Sequence, residues 1–205
     1  MADQFGLRER KKAATKAALS QAALRLAVEK GGIEAVTADE IAAEAGVSTR
    51  TLHNYFPSKE AALLHDFQEL TRQLIADLRE RVRHQPVWDA LREAAIGLRI
   101  DERFDLQELR CREGLIHESP ALIKEQSGQF MVLFSEALDI VAEATGTSSD
   151  DLYPRLMLGA ALLAMKTTNE HWLTHPGGKT LAEAITEGFA VFERGVTQPP
   201  NPSGA

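Results

Sequence analysis

Between positions 48 and 54 the chain sets out six small or planar hydrogen-bonding side chains: Ser48, Thr49, Arg50, Thr51, His53 and Asn54. A single apolar residue, Leu52, stands among them. Hydroxyl, amide, imidazole and guanidinium groups pair with base edges and with phosphate oxygens. Arg50 stands out, because a planar guanidinium takes guanine O6 and N7 together. A second group comes earlier: Arg8, Arg10, Lys11, Lys12 and Lys16 against the single Glu9. Such a run is either a phosphate-binding arm or a solvated helix face. No comparable grouping points to catalysis. His65, His84, His117, His171 and His175 are scattered without HExxH spacing, and no GxGxxG, P-loop or GxSxG motif occurs. The lone Cys111 excludes an intramolecular disulfide and a cysteine metal cluster. No catalytic residue, metal or cofactor is expected.

These candidates need elements to hold them. Hydrophobic residues make up 44% and charged residues 26% of the 205 positions, enough apolar surface for a sizeable core. The longest apolar run, Leu156 to Met165, is too short to cross a bilayer, so no membrane contact is expected. The first residues hold no apolar segment of the secretory type, and a reduced, cytoplasmic setting is expected. The net charge of −7 is unevenly spread. Residues 1–60 hold nine Lys/Arg against eight Asp/Glu, and residues 61–205 hold fourteen against twenty-two. That division confines contact with a polyanion to the N-terminal part.

Apolar residues recur at helical spacing and nothing alternates as a strand would, so the chain reads as all-α with about nine helices. The first runs over about 7–29, with Leu19, Ala22, Ala23, Leu26 and Ala27 on one face, and stops at Gly31-Gly32. Thr37 and Glu40 form a capping box for a short helix. Ser48 caps a second short helix, and Ser58 a long one to about residue 84 with a Leu63, Phe67, Leu70, Leu74, Leu78 stripe. Further helices are predicted over about 86–100, 102–117, 120–145 and 152–173. A last one, capped by Thr180 with Glu183, reaches about 196. The tail 198–205 is expected to be disordered.

Residues 37–56, TADEIAAEAGVSTRTLHNYF, place two short helices around a tight turn at Ala45-Gly46-Val47, which is helix-turn-helix geometry. Leu19, Ala22-Ala23, Leu26, Gly32, Thr37, Ile41-Ala42, Ala45-Gly46-Val47-Ser48, Leu52, Tyr55-Phe56 and Ser58-Lys59-Glu60 together resemble the N-terminal domain of TetR/AcrR-type transcriptional regulators. The likeness covers about 13–73. Two features depart from the family pattern: Ala27-Val28 where a bulky aromatic is usual, and His53 where an aromatic is frequent. The resemblance implies a DNA-binding domain over 13–73 preceded by a basic arm, 1–12. It implies a helical ligand-binding and dimerisation domain over 74–197. It implies Thr37 as a phosphate anchor through its amide and hydroxyl, and Thr49, Arg50 and Thr51 as base readers. Ser48, His53, Asn54, Tyr55 and Lys59 join them at the DNA, with Arg10, Lys11 and Lys12 on the arm. Tyr55 has a second reading, as a core ring with its hydroxyl at the surface.

The resemblance also implies a homodimer on a palindromic double-stranded operator, most simply a repressor, released by a small-molecule effector. Residues 152–173 are apolar almost all round, so one face needs a partner. Leu156, Ala160 and Leu163, with Ile185, Phe189 and Phe192 of the last helix, are the dimer candidates. For the effector, the candidates are Phe104, Arg110, Phe130, Phe134, Met165, Asn169 and Trp172. If one or two of Arg99, Arg103, Arg110 and Arg112 point inward, an acyl thioester or another hydrophobic acid suits the site; otherwise they are solvated and salt-bridged. Cys111 reads as a redox-sensitive thiol or, more simply, a buried inert one.

Overall fold

A computed structural model describes the backbone of residues 2–98, 106–175 and 177–195, and within these spans the side chains from residue 8 on, except 106–109. Nine α-helices and one 3-10 turn lie among the described residues, with no strand. In chain order they are α1 (Ala2–Lys30), the turn Ile33–Ala35, α2 (Ala38–Glu44), α3 (Thr49–Tyr55) and α4 (Lys59–Arg81). Then follow α5 (Val87–Gly97), α6 (Leu106–Glu118), α7 (Pro120–Thr145), α8 (Leu152–Thr174) and α9 (Leu181–Arg194). Phe104, Arg99, Arg103 and the tail 198–205 lie outside the described residues.

Helix ends fall where the capping chemistry puts them. Thr37 and Glu40 close a complete capping box, and so do Thr180 and Glu183. The Ser48 hydroxyl accepts from the Thr51 amide, and that of Ser58 from the Ala61 amide at 3.0 Å. Some ends differ from the pattern-based expectation, and α1 begins at Ala2 rather than near residue 7. Helix α4 stops at Arg81, and α5 at Gly97.

Packing sorts the chain into two units: Met1–Thr71 with Gln107–Val132, and Arg72–Leu106 with Leu133–Ala205. The grouping cuts across a linear division at 73, because residues 107–132 pack with the N-terminal segment. The physical reason lies in the first unit's core. Leu19, Ala22, Ala23 and Ala27 of α1, Ile33, Ile41, Leu52 and Leu63 are all fully buried there. Leu115 and Leu122, from the α6–α7 junction, join that same cluster. Fully burying one leucine side chain contributes about 1.5–3 kcal/mol, so both hold the junction firmly.

In the second unit α5, α8 and α9 pack on one another. The Trp88 ring lies 5.1 Å from that of Phe189 and 6.1 Å from that of Phe192. Helices α8 and α9 approach closely at Gly188, where a Cβ would fall 2.1 Å from Thr168 Oγ1. Phe189 is only 1% exposed and Ile185 3%, within a single protomer. These two were expected at a dimer interface; their own core already covers them, so they have no surface to offer a partner. Phe192 is half-buried beside Trp88. Leu156 and Leu163, by contrast, are 61% and 56% exposed, and Ala160 is half-buried. In the first unit, Phe67 leaves the α4 stripe and is exposed.

Candidate nucleic-acid interface

The helix-turn-helix is built from short-range chemistry first. Gly46 takes φ of 67°, left-handed backbone that a residue with a Cβ enters only at a cost. This lets the Gly46 amide donate to Ala43 O at 3.0 Å and the Val47 amide to Ala42 O at 2.9 Å. Apolar residues then fix the two helices: Ile41 and Ala42 of α2 and Leu52 of α3 are buried in the same cluster as α1. Polar links brace the outside. Thr49 Oγ1 donates to Asp39 Oδ1 at 2.5 Å, joining α3 to α2. Arg25 pairs with Glu44 at 2.7 Å, joining α1 to α2. At the end of α3, the Phe56 ring meets His65 edge-on at 5.2 Å, with Lys16 Nζ 5.8 Å from its centroid.

This bracing decides which polar side chains remain available. Arg50, His53 and Asn54 are exposed, and among the described residues no hydrogen bond or ion pair engages their side chains. They share the outer side of α3 while Leu52 faces the core. The hydroxyls of Ser48 and Thr51 bond to each other at 2.8 Å, and that of Thr49 is directed to Asp39. Both threonines keep acceptor capacity but are tied in place. Tyr55 is half-buried against the core, so the second of its two readings describes its ring.

Three expectations are corrected here. Thr37 was to hold phosphate through its amide and hydroxyl. Both already donate to Glu40 Oε2 at 3.0 Å, so an incoming phosphate would meet a carboxylate there. Glu40 also takes the Lys30 ammonium at 2.6 Å. The Lys30 contact first, then the Thr37 amide and hydroxyl, lower its pKa to about 2, so it stays charged. Lys59 was to meet phosphate. Its ammonium instead donates to Ile33 O and Val36 O, each at 2.8 Å, and to Glu34 O at 3.4 Å. It ties the carbonyls of the α1–α2 connection to the start of α4. Residues 1–12 were read as a basic arm, with a solvated helix face as the alternative for the basic run. From Ala2 on they are a continuous part of α1, with Arg8, Arg10, Lys11 and Lys12 exposed along it. A helix presents such groups to phosphates along its side rather than as an extended segment in a minor groove.

Sequence reasoning did not find Glu34 or Asp39, nor the bond from Ser119 to Glu34, whose ends lie 85 residues apart in the chain. The capping pattern around Thr37 was visible, but the pull of Lys30 on Glu40 was not.

The helix-turn-helix region matches the family model described as bacterial regulatory proteins, tetR family, over residues 19–65. Residues 85–197, more than half of the chain, match the model described as the MftR C-terminal domain. This chain belongs to the TetR family of transcriptional regulators. It is 29% identical over 191 residues to the mycofactocin biosynthesis transcriptional regulator MftR of Mycobacterium tuberculosis, covering 91% of this chain and 93% of that one. Among solved structures it resembles FadR of Bacillus subtilis in complex with stearoyl-CoA, with a TM-score of 0.56 and 18% identity, over 85% of this chain and 95% of that one. It also resembles FadR of Thermus thermophilus in complex with lauroyl-CoA, with a TM-score of 0.51 and 24% identity, over 93% and 99% of the two chains. These likenesses bear on the fold.

The effector candidates of this TetR-family regulator fall in varied surroundings. Phe130 and Arg110 are exposed; Phe134, Met165 and Asn169 are half-buried. Trp172 is buried, and its indole N–H donates to Lys179 O at 2.7 Å, so it is a satisfied core residue. Met165, Asn169 and Trp172 lie on one face of α8, at i, i+4 and i+7. Asn169 Oδ1 and Trp88 Nε1, both in the second unit, are buried without a hydrogen-bond partner among the described residues. Trp88 is not among the effector candidates named from the sequence. An open cleft of about 340 Å³ in the first unit is lined by Ser58, Glu60, Lys124, Glu125 and Gln129, none of them an effector candidate. Arg112 is buried and Cys111 half-buried.

Proposed function

We propose that this regulator is a homodimeric repressor that reads a palindromic operator with α3 and leaves it when a hydrophobic, anionic ligand binds the second unit. The observation that carries the DNA reading is the free outer side of α3. Arg50, His53 and Asn54 have no internal partner, on a two-helix unit where the hydroxyls of Ser48, Thr49 and Thr51 are bonded within the unit. The helix fixes where these side chains start from, and contacts with bases and phosphates must exceed the cost of ordering them, about 0.5–1.5 kcal/mol for each rotamer-rich side chain. Arg50 takes a guanine, and His53 and Asn54 hold the backbone or a neighbouring base.

The twofold arrangement is supported by the outer face of α8. Leu152, Leu156 and Leu163 are more than half exposed at i, i+4 and i+11. Three large aliphatic side chains in one line on a single protomer are a natural surface for its copy. A long-chain acyl thioester is the effector class, supported by the acyl-CoA complexes of the two FadR regulators. It is supported too by the buried, unmatched polar atoms of Asn169 and Trp88, since buried polar groups normally find partners.

The test is a selection of duplexes from a random pool by the full chain, followed by titration with stearoyl-CoA and lauroyl-CoA. An enriched inverted repeat, bound by two protomers and released by an acyl-CoA but not by free CoA, is the expected result. Enrichment of no duplex removes the DNA reading. An enriched repeat that no acyl-CoA releases removes the effector class alone.

A further inference from the structure

The α1–α2 connection is gripped from two directions. From α4, Lys59 binds the carbonyls of Ile33 and Val36. From the α6–α7 junction, Ser119 donates its hydroxyl to Glu34 Oε1. Ser119 is 2% exposed and lies 85 residues from its partner in the chain. It is also the cap of α7, because its Oγ accepts from the Leu122 amide at 3.2 Å. One hydroxyl therefore joins the first turn of α7 to the turn that leads into α2. Leu115 and Leu122, with Ile116 beside them, pack into the same core cluster as Ile41 of α2 and Leu52 of α3. The Glu34 carboxyl is held below its ordinary pKa, by the Ser119 hydroxyl first, so its charged, accepting form is favoured.

The placement of the two partners gives the bond its interest. Glu34 falls within the residues matching the DNA-binding family model, 19–65, and Ser119 within those matching the C-terminal model, 85–197. A DNA-binding region that ends at residue 65 or 73 has no part of this contact on one side.

We propose that Ser119 and Glu34 are a positioning pair for DNA recognition: the hydroxyl at the start of α7 sets the α1–α2 turn, and through α2 the recognition helix α3. The proposal rests on the DNA-binding reading above. Neither residue touches DNA. Each acts through the turn Ile33–Ala35, which precedes the Thr37 cap of α2 by a single residue, Val36. Any rearrangement of the α7 first turn must alter the Leu122–Ser119–Glu34 chain of bonds, and by reciprocity DNA held by α3 favours the bonded arrangement.

The test uses the full chain, with a duplex selected from a random pool by the wild type. Operator and scrambled-duplex affinities and the melting temperature are measured for Ser119→Ala, Glu34→Ala, the double variant and Glu34→Gln. Each single alanine variant should bind the operator about tenfold more weakly, roughly what one hydrogen bond to a charged group is worth. This loss should appear well below the melting temperature, where all the protein is folded. The double variant should be no weaker than Ser119→Ala alone, because the Ser119–Glu34 bond is already lost in that variant. Glu34→Gln, whose amide oxygen still accepts from Ser119 but without the charge, should bind between the wild type and Glu34→Ala. Should Ser119→Ala fail to fold, Glu34→Ala, at an exposed position, carries the comparison. Single variants that melt earlier but bind the operator as the wild type does would overturn the proposal. So would a double variant whose loss is the product of the two single losses. Failure of the wild type to enrich any duplex would remove the DNA-binding reading, and this proposal with it, before any variant is compared.

Discussion

Replacing Arg50 with alanine removes a guanidinium that has no task inside the protein. The expected result is a loss of about 1–3 kcal/mol per half-site and a relaxed preference at one base pair, without a change in folding. Replacing Lys59 acts differently, though both residues are cations near α3. Its ammonium already satisfies two carbonyls at 2.8 Å, so Lys59→Ala leaves Ile33 O and Val36 O without that donor. About 1.5–3 kcal/mol of stability should be lost, the range for hydrogen bonds to a charged group. Operator titrations over several salt concentrations and urea melts separate the two. Arg50→Ala should change the operator-to-scrambled ratio and leave the melt alone. Lys59→Ala should shift the melt and leave the salt slope of the folded protein as it was. A reduced slope for Lys59→Ala would return that residue to the phosphates. Sequence pattern could place both cations near the recognition helix. It could not see that one of them has carbonyls within reach, because those lie 23 to 26 residues away.

Helix α2 depends on its capping box, and that box titrates. The Glu40 carboxylate accepts from Lys30 and from the Thr37 amide and hydroxyl, and its pKa is lowered from 4.5 to about 2. A group with a depressed folded pKa adds stability above its unfolded value and loses it as pH falls through the folded one. The contribution should therefore be full above pH 4.5 and fade toward pH 2. Glu40→Gln should be less stable than the wild type at pH 6, with the difference shrinking as the pH falls through that window. A difference that stays constant from pH 6 to pH 3 in urea melts would refute the charge-based account. The turn between α2 and α3 depends on a different property. Gly46→Ala puts a Cβ on left-handed backbone with open space around it, so the cost is conformational, about 1–2 kcal/mol. The same melts should report it, and no loss at all would mean that the turn relaxes to another shape.

For the molecule as a whole, α8 and α9 make a contrast that mutation can expose. Leu163 is 56% exposed on a lone protomer, while Phe189 is enclosed by its own chain beside Trp88. Leu163→Glu should give a folded monomer, because its carboxylate stays in water once the partner leaves. Phe189→Glu should unfold the protomer, since a buried, unpaired carboxylate costs several kcal/mol. Light scattering with circular dichroism reads both outcomes at micromolar concentration. A wild type that scatters as a monomer would dismiss the twofold reading. A Leu163→Glu variant that remains dimeric would move the interface to another face.

The sequence by itself determined the helices and the caps at which several of them begin, because caps and apolar spacing act within a few residues. Thr37 with Glu40, Ser48, Ser58, and Thr180 with Glu183 each stand where a helix begins. It also determined the helix-turn-helix, through the local demands of Gly46 and the buried positions Ile41, Ala42 and Leu52. Only the tertiary structure decided how polar groups are allotted. Thr37 and Lys59 are of the right type to hold phosphate, yet neighbours bring them a carboxylate and a set of carbonyls. It alone decided that Phe189 belongs to the protomer's core and Leu163 to its surface, although both fit an apolar helix face. And it alone brought Ser119 to Glu34, across 85 residues of chain. Local chemistry fixes which groups a helix presents; which of them stay free depends on what the rest of the chain folds against them.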